Sequence, residues 1–345
     1  MSLAFKKIAD RMRLMNPLKG FSQDEIPLEI RFDPLTGQTG RIFDLPYKPS
    51  GYPDPSDIVQ RSKGEFCPFC PEAIEKATPL FPKDVIPEGK IRVGEATLVP
   101  NLLPLDRYTG VSIMSRDHYI PIEDFTPANM KDAFSAALKF IKRIADVDPH
   151  VNFFNINWNY MPQAGSSIVH PHLQVNCGEI PTNHVRTQME ACRKYHEENG
   201  GSFWQDYMAA EKDCGERFIG EIGPCFWTMS YVPQSFLPDV WCIFPEHDSL
   251  LSFGAEELMP FLQGLSRTLR YFYVEKIFSF NMSIFSVRQD DHFRVNARIC
   301  PRLLLRAIGN SDHTYFQTIH KEPSTVRPPE SVCQKVKEIF QGQKK

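Results

Sequence analysis

Apolar positions recur along this chain with two different periods, and the alternation between them outlines its elements. The segment TPANMKDAFSAALKFIKRIAD sets Met130, Phe134, Ala137, Leu138 and Ile141 on one stripe at helical spacing. With Thr126 placed to cap and Pro127 in the first turn, the spacing predicts a helix over 126–146. A second helix-like run covers 255–273, and residues 183–215 read as helical and polar. Short runs rich in Val, Ile, Leu and Thr, bounded by turn residues, predict strands at 28–32, 41–43, 95–101, 110–115, 151–158, 168–175 and 278–285. At the N terminus, Phe5, Ile8, Met12 and Met15 suit one side of an amphipathic surface helix; without an apolar core the segment is not a signal peptide.

The order of these elements repeats. VSIMSRDH at 111–118 matches VWCIFPEH at 240–247 with a displacement of 129, which aligns His118 with His247. FNINW at 154–158 matches FNMSI at 280–284 with a displacement of 126, and the same displacement sets His170-Pro171-His172 on Asn296-Ala297-Arg298. The pattern predicts an α+β pseudo-dimer within one chain, each half an antiparallel sheet crossed by a long helix. The halves are expected at 1–182 and 216–345, with 183–215 as a helical connection.

Composition narrows the class. The 345 residues, 42% hydrophobic and 23% charged, describe a globular chain, and no apolar run approaches the ~18 residues of a membrane span. A formal charge of −3 gives no broad attraction to nucleic acid or anionic lipid. Nine cysteines in a chain of this length, with no export signal, point to reduced thiols and a cytoplasmic protein. The 29 prolines fit many short segments joined by turns.

Two motifs carry candidate chemistry. Cys67-Pro68-Phe69-Cys70 is a C-x2-C pair whose thiolates suit one tetrahedral zinc, with His118 and His170 available to complete it. The pair also reads as a redox couple, although the usual βαβ context is absent, or as two buried thiols. In His170-Pro171-His172-Leu173-Gln174 the alternation of an extended strand puts two imidazoles and an amide on one face. An imidazole whose other nitrogen is held by an acceptor is a competent nucleophile toward phosphorus. Gln174, Ser166 and Ser167 are placed to contact phosphate oxygens, and Gly165 allows close backbone approach. No Walker loop occurs.

H-P-H-x-Q beside C-x2-C resembles the galactose-1-phosphate uridylyltransferase family of the histidine-triad superfamily, whose members transfer nucleoside monophosphates through a covalent histidine adduct. Further segments are similar: Arg31–Gly37 (RFDPLTG), Val99-Pro100-Asn101, Ser115-Arg116-Asp117-His118, and Asn159 eleven residues before His170. The resemblance implies a structural zinc on Cys67, Cys70, His118 and His170, with His172 as nucleophile and Gln174 as its phosphate-stabilising partner. It also implies that Asn101 and Asn159 contact the nucleotide, and that the protein is a homodimer. Leu102 and Leu103 beside Asn101 suit a flat base slot that takes uracil or adenine equally.

The chain departs from the family at three places. Phe43-Asp44-Leu45-Pro46 replaces an arginine-bearing segment, Asn296-Ala297-Arg298 replaces an H-x-H, and Gly309-Asn310-Ser311 replaces a G-Y-E ahead of Gln317, the remaining sugar-binding candidate. The resulting expectation is a nucleotidyltransferase that moves a nucleoside monophosphate between a nucleoside diphosphate sugar and a sugar 1-phosphate by ping-pong chemistry. The alternatives are a nucleotide-sugar phosphorylase using inorganic phosphate, a hydrolase using water, and a non-catalytic zinc-stabilised nucleotide-binding module. No nucleic-acid or membrane partner is expected.

Overall fold

The computed structural model describes residues 3–44, 55–304 and 311–342; Leu45, Pro46, Gly309 and Asn310 lie outside the described residues. The N-terminal segment is not a helix but the first arm of a long hairpin. β1 (Lys7–Asn16) pairs antiparallel with β2 (Ser22–Phe32) from Lys7↔Arg31 to Asn16↔Ser22. Ile8 and Met12, four apart, share a face in either conformation, so periodicity alone does not discriminate here. The partner strand does, by opposing Ile8 with Ile30 and Met12 with Ile26, while Lys7–Glu29 and Arg11–Glu25 pair on the other face. β3 (Thr39–Phe43) extends this sheet, and β14 (Ser324–Thr325) closes it in parallel.

The remaining strands form one ten-stranded antiparallel sheet. In spatial order they are β4 (Ile91–Val93), β5 (Ala96–Pro100), β6 (Tyr108–Ile113), β8 (His172–Gly178), β7 (Phe153–Tyr160), β12 (Phe280–Val287), β13 (Asn296–Pro301), β11 (Val240–Ile243), β10 (Cys225–Met229) and β9 (Phe218–Ile222). The order reads the same from either edge, with β7 and β12 at the centre, as a duplicated unit requires. Eight helices accompany the sheets among the described residues: α1 (Ser56–Lys63), α2 (Ile74–Ala77), α3 (Pro127–Val147), α4 (Asn183–Asn199), α5 (Phe203–Cys214), α6 (Ala255–Val274), α7 (Tyr315–Thr318) and α8 (Pro329–Phe340). None of them is long and apolar enough to cross a membrane.

α3 begins as the sequence predicts, with the Thr126 hydroxyl accepting from the Asn129 N–H, and its stripe of Met130, Phe134, Ala137, Leu138 and Ile141 is buried. α3 and α6 cover the same face of the sheet and share a core with Trp158, Leu173 and Trp227. α6 crosses so close that a Cβ on Gly264 would stand 2.1 Å from the Trp227 ring. Apolar residues thus collect on the helix face, and the opposite face of the central strands stays polar.

On that polar face Gln174, Asn157, Ser283 and Arg298 lie in one row, each opposite the next across β8, β7, β12 and β13. This row corrects the register of the repeat. The displacement of 126 holds between Asn157 and Ser283, but Gln174 and Arg298 are 124 apart, and Val111 and Trp241, at the row's ends, are 130 apart. Arg298 is therefore the sheet counterpart of Gln174, not of His172. Loops between paired strands absorb the shifts, and a displacement of 129 would have turned the core-facing Val240 toward the polar face. His247 sits by Ser252 and Glu257, and among the described residues it joins no cysteine in a metal-binding cluster.

A buried ion network ties the hairpin to the C terminus. Arg31 forks onto Glu330 at 2.8 and 2.9 Å, Arg217 reaches the same carboxylate at 2.8 Å, and the Arg217 Nε–H donates to Glu211 at 3.0 Å. Burial pushes the Glu330 carboxyl up, but Arg31 and Arg217 outweigh it and hold the group below the ordinary 4.5. A depressed carboxyl contributes stability above its unfolded pKa and loses it as pH falls through the folded value. Glu330→Gln should cost about 2 to 3 kcal/mol at neutral pH. In urea unfolding the gap to the unaltered protein should hold down to about pH 5 and shrink below 4; an unchanged gap at acid pH would contradict the assignment.

Candidate active site and metal centre

Three separate stretches converge on the cysteine loop. Cys67 and Cys70 lie between α1 and α2, His118 follows β6, and His170 precedes β8; their ligand atoms all fall within 4.8 Å of one another. Cys70 Sγ is 3.3 Å from His118 Nδ1 and 3.7 Å from His170 Nδ1, and Cys67 Sγ is 3.8 Å from His170 Nδ1.

The tautomers follow from the outer contacts. His170 Nε2 lies 2.9 Å from the Ser115 carbonyl, which only accepts, so Nε2 carries the proton and Nδ1 presents a lone pair to the cysteines. Ser62 spends its hydroxyl proton on the Val59 carbonyl and so accepts from His118 Nε2 at 3.0 Å, which frees His118 Nδ1 in the same way. Burial holds the His170 imidazole down at about 4, keeping it neutral as a ligand must be. Burial likewise pushes the Cys70 thiol up to about 12, reinforced by its contact with Cys67, so without a cation opposite it this thiol stays protonated. The donor set of two thiols and two oriented imidazoles suits a metal ion.

His172 opens β8 beside this centre. Strand structure begins at His172 rather than at residue 168, but pairing starts earlier, because the Met114 N–H donates to the Pro171 carbonyl. Both His170 and His172 meet the edge of Phe69, with ring centroids 6.1 and 5.2 Å away. The His172 Nδ1–H donates to the His170 carbonyl at 2.8 Å, leaving Nε2 with the lone pair. Burial lowers the His172 pKa from the ordinary value, and the carbonyl contact opposes this only in part.

The other predicted residues lie on several elements of the fold. Gln174 is half-buried on the same face as His172. Asn159 accepts from Asn281 at 2.7 Å, and Asn281 is held in turn by Arg302, so the second half fixes this amide of the first. Gly165, at φ +87, turns the loop that follows β7. Ser166 points inward and donates to the Ile168 carbonyl at 2.7 Å; Ser167 is exposed and lines a cavity of 200 Å³ beside Cys67 and His118. The Asn101 side chain accepts from the Leu103 N–H at 3.0 Å, and Leu102 and Leu103 are exposed. Gln317 caps α7 and lines a different cavity, over the second half, so the fold does not bring it to His172 within one chain.

Sequence reading overlooked the residues that orient these groups. Ser62 and Ser115 fix the tautomers, Phe69 packs on both imidazoles, and Asn157 bridges Gln174 to Ser283. Phe69 carried a local signal by lying inside the C-x2-C loop, and Ser115 by opening the segment Ser115-Arg116-Asp117-His118; Ser62 and Asn157 carried none.

No protein-family model matches the chain. An uncharacterised protein of Archaeoglobus fulgidus is 32% identical over 327 residues, covering 94% of this chain and 96% of that one. An ADP-glucose phosphorylase of Arabidopsis thaliana is 28% identical over 251 residues, covering 64% of this chain and 67% of its own length. The structure of an ADP-glucose phosphorylase from that plant with bound ADP-glucose superposes with a TM-score of 0.67 at 18% identity, over 90% of this chain and 98% of that one. A uridylyltransferase structure gives 0.65 at 17% identity, over 92% and 99%. The chain thus belongs to one family with the Archaeoglobus fulgidus protein, and its fold is that of the ADP-glucose phosphorylase and uridylyltransferase structures.

Proposed function

We propose that this chain transfers a nucleoside monophosphate from a nucleoside diphosphate sugar to a sugar 1-phosphate through a nucleotidyl-His172 intermediate. The observation that carries the reading is the His172 Nδ1–H held on the His170 carbonyl, which leaves the Nε2 lone pair of a neutral imidazole free to attack. Nε2 attacks the α-phosphorus, the bond to the bridging oxygen breaks, and the sugar 1-phosphate leaves with the electron pair. The imidazolium charge is stabilised through Nδ1 by the carbonyl dipole. The acceptor's phosphate oxygen then attacks the same phosphorus and His172 departs. Gln174, Asn159 and the turn at Gly165, Ser166 and Ser167 hold the phosphate oxygens, and in-line positioning of this kind is worth ~7–11 kcal/mol. Asn101 borders the base.

Cys67, Cys70, His118 and His170 would hold a zinc ion, which supplies structural cross-linking rather than a reacting group. A tetrahedral zinc with ordinary bond lengths sets sulfur and nitrogen about 3.6 Å apart, close to the observed separations. Four protein ligands leave no open position. The first half, 1–182, carries the chemistry, and residues 183–215 connect it to the second half, 216–345. The apolar face of the β1–β2 arm, with Ile8 and Met12 exposed, supports a homodimer.

A second reading changes only the acceptor. The similarity to a protein named ADP-glucose phosphorylase favours inorganic phosphate, with release of a nucleoside diphosphate. Intact-protein mass spectrometry after incubation with UDP-glucose or ADP-glucose tests both. A mass increase of one uridylyl or adenylyl group identifies the nucleotide, and its discharge by galactose 1-phosphate or by phosphate identifies the acceptor. No adduct with any nucleotide sugar would overturn the reading.

A further inference from the structure

The duplicated sheet carries a second polar pocket, over the half that lacks histidines. A cavity of 380 Å³ lies above β11 and β13, enclosed by the turn between β2 and β3, the start of α4 and the segment around α7. Its floor is Arg298, only 7% exposed and stacked 4.6 Å from the Trp241 ring. One fork of that guanidinium is occupied, since Nη1 donates to Ser230 at 2.9 Å and to the buried Asp239 at 3.2 Å. The other is not: no hydrogen bond among the described residues engages Nη2, and Nε is buried without a partner. An arginine fork of this shape matches two oxygens of a phosphate.

The walls differ in kind from the floor. Thr36, Gln38 and Gln188 offer neutral hydrogen-bonding groups, Asp33 offers a carboxylate, and Lys321 adds positive charge. Amides, a hydroxyl and a carboxylate are the groups that read sugar hydroxyls, and the volume lies near the lower end of small-molecule sites. A bare phosphate would leave these walls unused, and a dinucleotide would not fit.

We infer that this cavity binds a phosphorylated monosaccharide, with its phosphate on Arg298 and its hydroxyls toward Asp33, Thr36 and Gln188. The inference rests on the cavity and its orphaned fork, independently of transfer through His172. In the row across the sheet, Arg298 stands where Gln174 stands in the first half, so both halves aim a polar side chain at a phosphate from matching positions.

Equilibrium dialysis of the 345-residue chain carrying His172→Gly tests this with labelled glucose 1-phosphate, inorganic phosphate and glucose as probes. Substituting Arg298 strands Asp239, so the variants are Lys321→Asn, which tolerates the left-handed backbone at that residue, and Gln38→Trp, which fills the exposed mouth. Glucose 1-phosphate should bind at least about tenfold more tightly than phosphate or glucose, and each variant should weaken it about tenfold or more. Adduct formation at His172 should be unchanged when the same two substitutions are made in the otherwise unaltered chain. Equal binding of the three probes, or binding indifferent to both substitutions, overturns the inference. Loss of the adduct in the unaltered chain bears only on the transfer reaction.

Discussion

His172→Gly is expected to lose nucleotidyl transfer by about 10^4-fold or more while keeping its fold and its capacity for a metal ion, because the proposed nucleophile disappears and the proposed ligands do not. The His172 ring contacts Phe69 and the His170 backbone but takes no part in the cysteine cluster. Steady-state transfer assays, metal analysis and thermal unfolding on the same preparation separate the two roles. A gap at residue 172 also leaves space for the imidazole of a nucleoside 5′-phosphorimidazolide, which should serve the variant as a pre-activated donor: the acceptor's phosphate oxygen attacks phosphorus and imidazole leaves in place of the His172 ring. If the variant binds no metal, His172 belongs to the metal centre and the division of labour is wrong. If it transfers at the unaltered rate, the nucleophile is another group.

On the proposed assignment, loss of a metal ion from the cysteine cluster should act by a different route. Cys70→Ala, or exhaustive chelation of the unaltered protein, should abolish binding of one zinc per chain and lower the unfolding temperature before any chemistry is lost at the remaining folded molecules. Structural zinc sites carry apparent binding energies of about 10–16 kcal/mol in small zinc domains, and that energy is folding energy. Here the ion would join the loop before α2, the end of β6 and the start of β8. Metal content by atomic absorption, read against melting temperature and transfer rate, gives the order of events. Activity that vanishes while the melting temperature holds would mean an ion with a catalytic position, contrary to the four-ligand arrangement.

Much of the site was legible because its residues lie close together in sequence. Cys67 with Cys70, and His170 with His172 and Gln174, are separated by two or three positions, so strand alternation and loop length already place them near one another. The helix over α3 was equally readable, since capping, first-turn proline and apolar stripe all agree within one segment. The first arm of the hairpin was not. Ile8 and Met12 satisfy both periods, and β2, fourteen or more residues further on for those positions, decided between them.

Arg298 shows the same limit at larger range. A residue count places it against His172, whereas hydrogen-bonded register places it against Gln174. The two assignments differ by two residues, which keeps the same face, so burial of the apolar side does not choose between them; the pairing of Gln174 with Asn157, Asn157 with Ser283 and Ser283 with Arg298 does.

By itself the sequence determined the chemistry available: two thiols, three imidazoles and an amide at spacings that suit a metal ion and a phosphorus nucleophile, inside a duplicated α+β chain. Only the tertiary structure decided their protonation and their assembly. The carbonyls of Ser115 and His170 and the hydroxyl of Ser62 select which nitrogen of each imidazole is free. The ten-stranded sheet likewise aligns Gln174, Asn157, Ser283 and Arg298 across residues more than a hundred positions apart. Those contacts come from backbone groups and paired strands brought together by burial of the opposite face, and no local pattern of side chains encodes them.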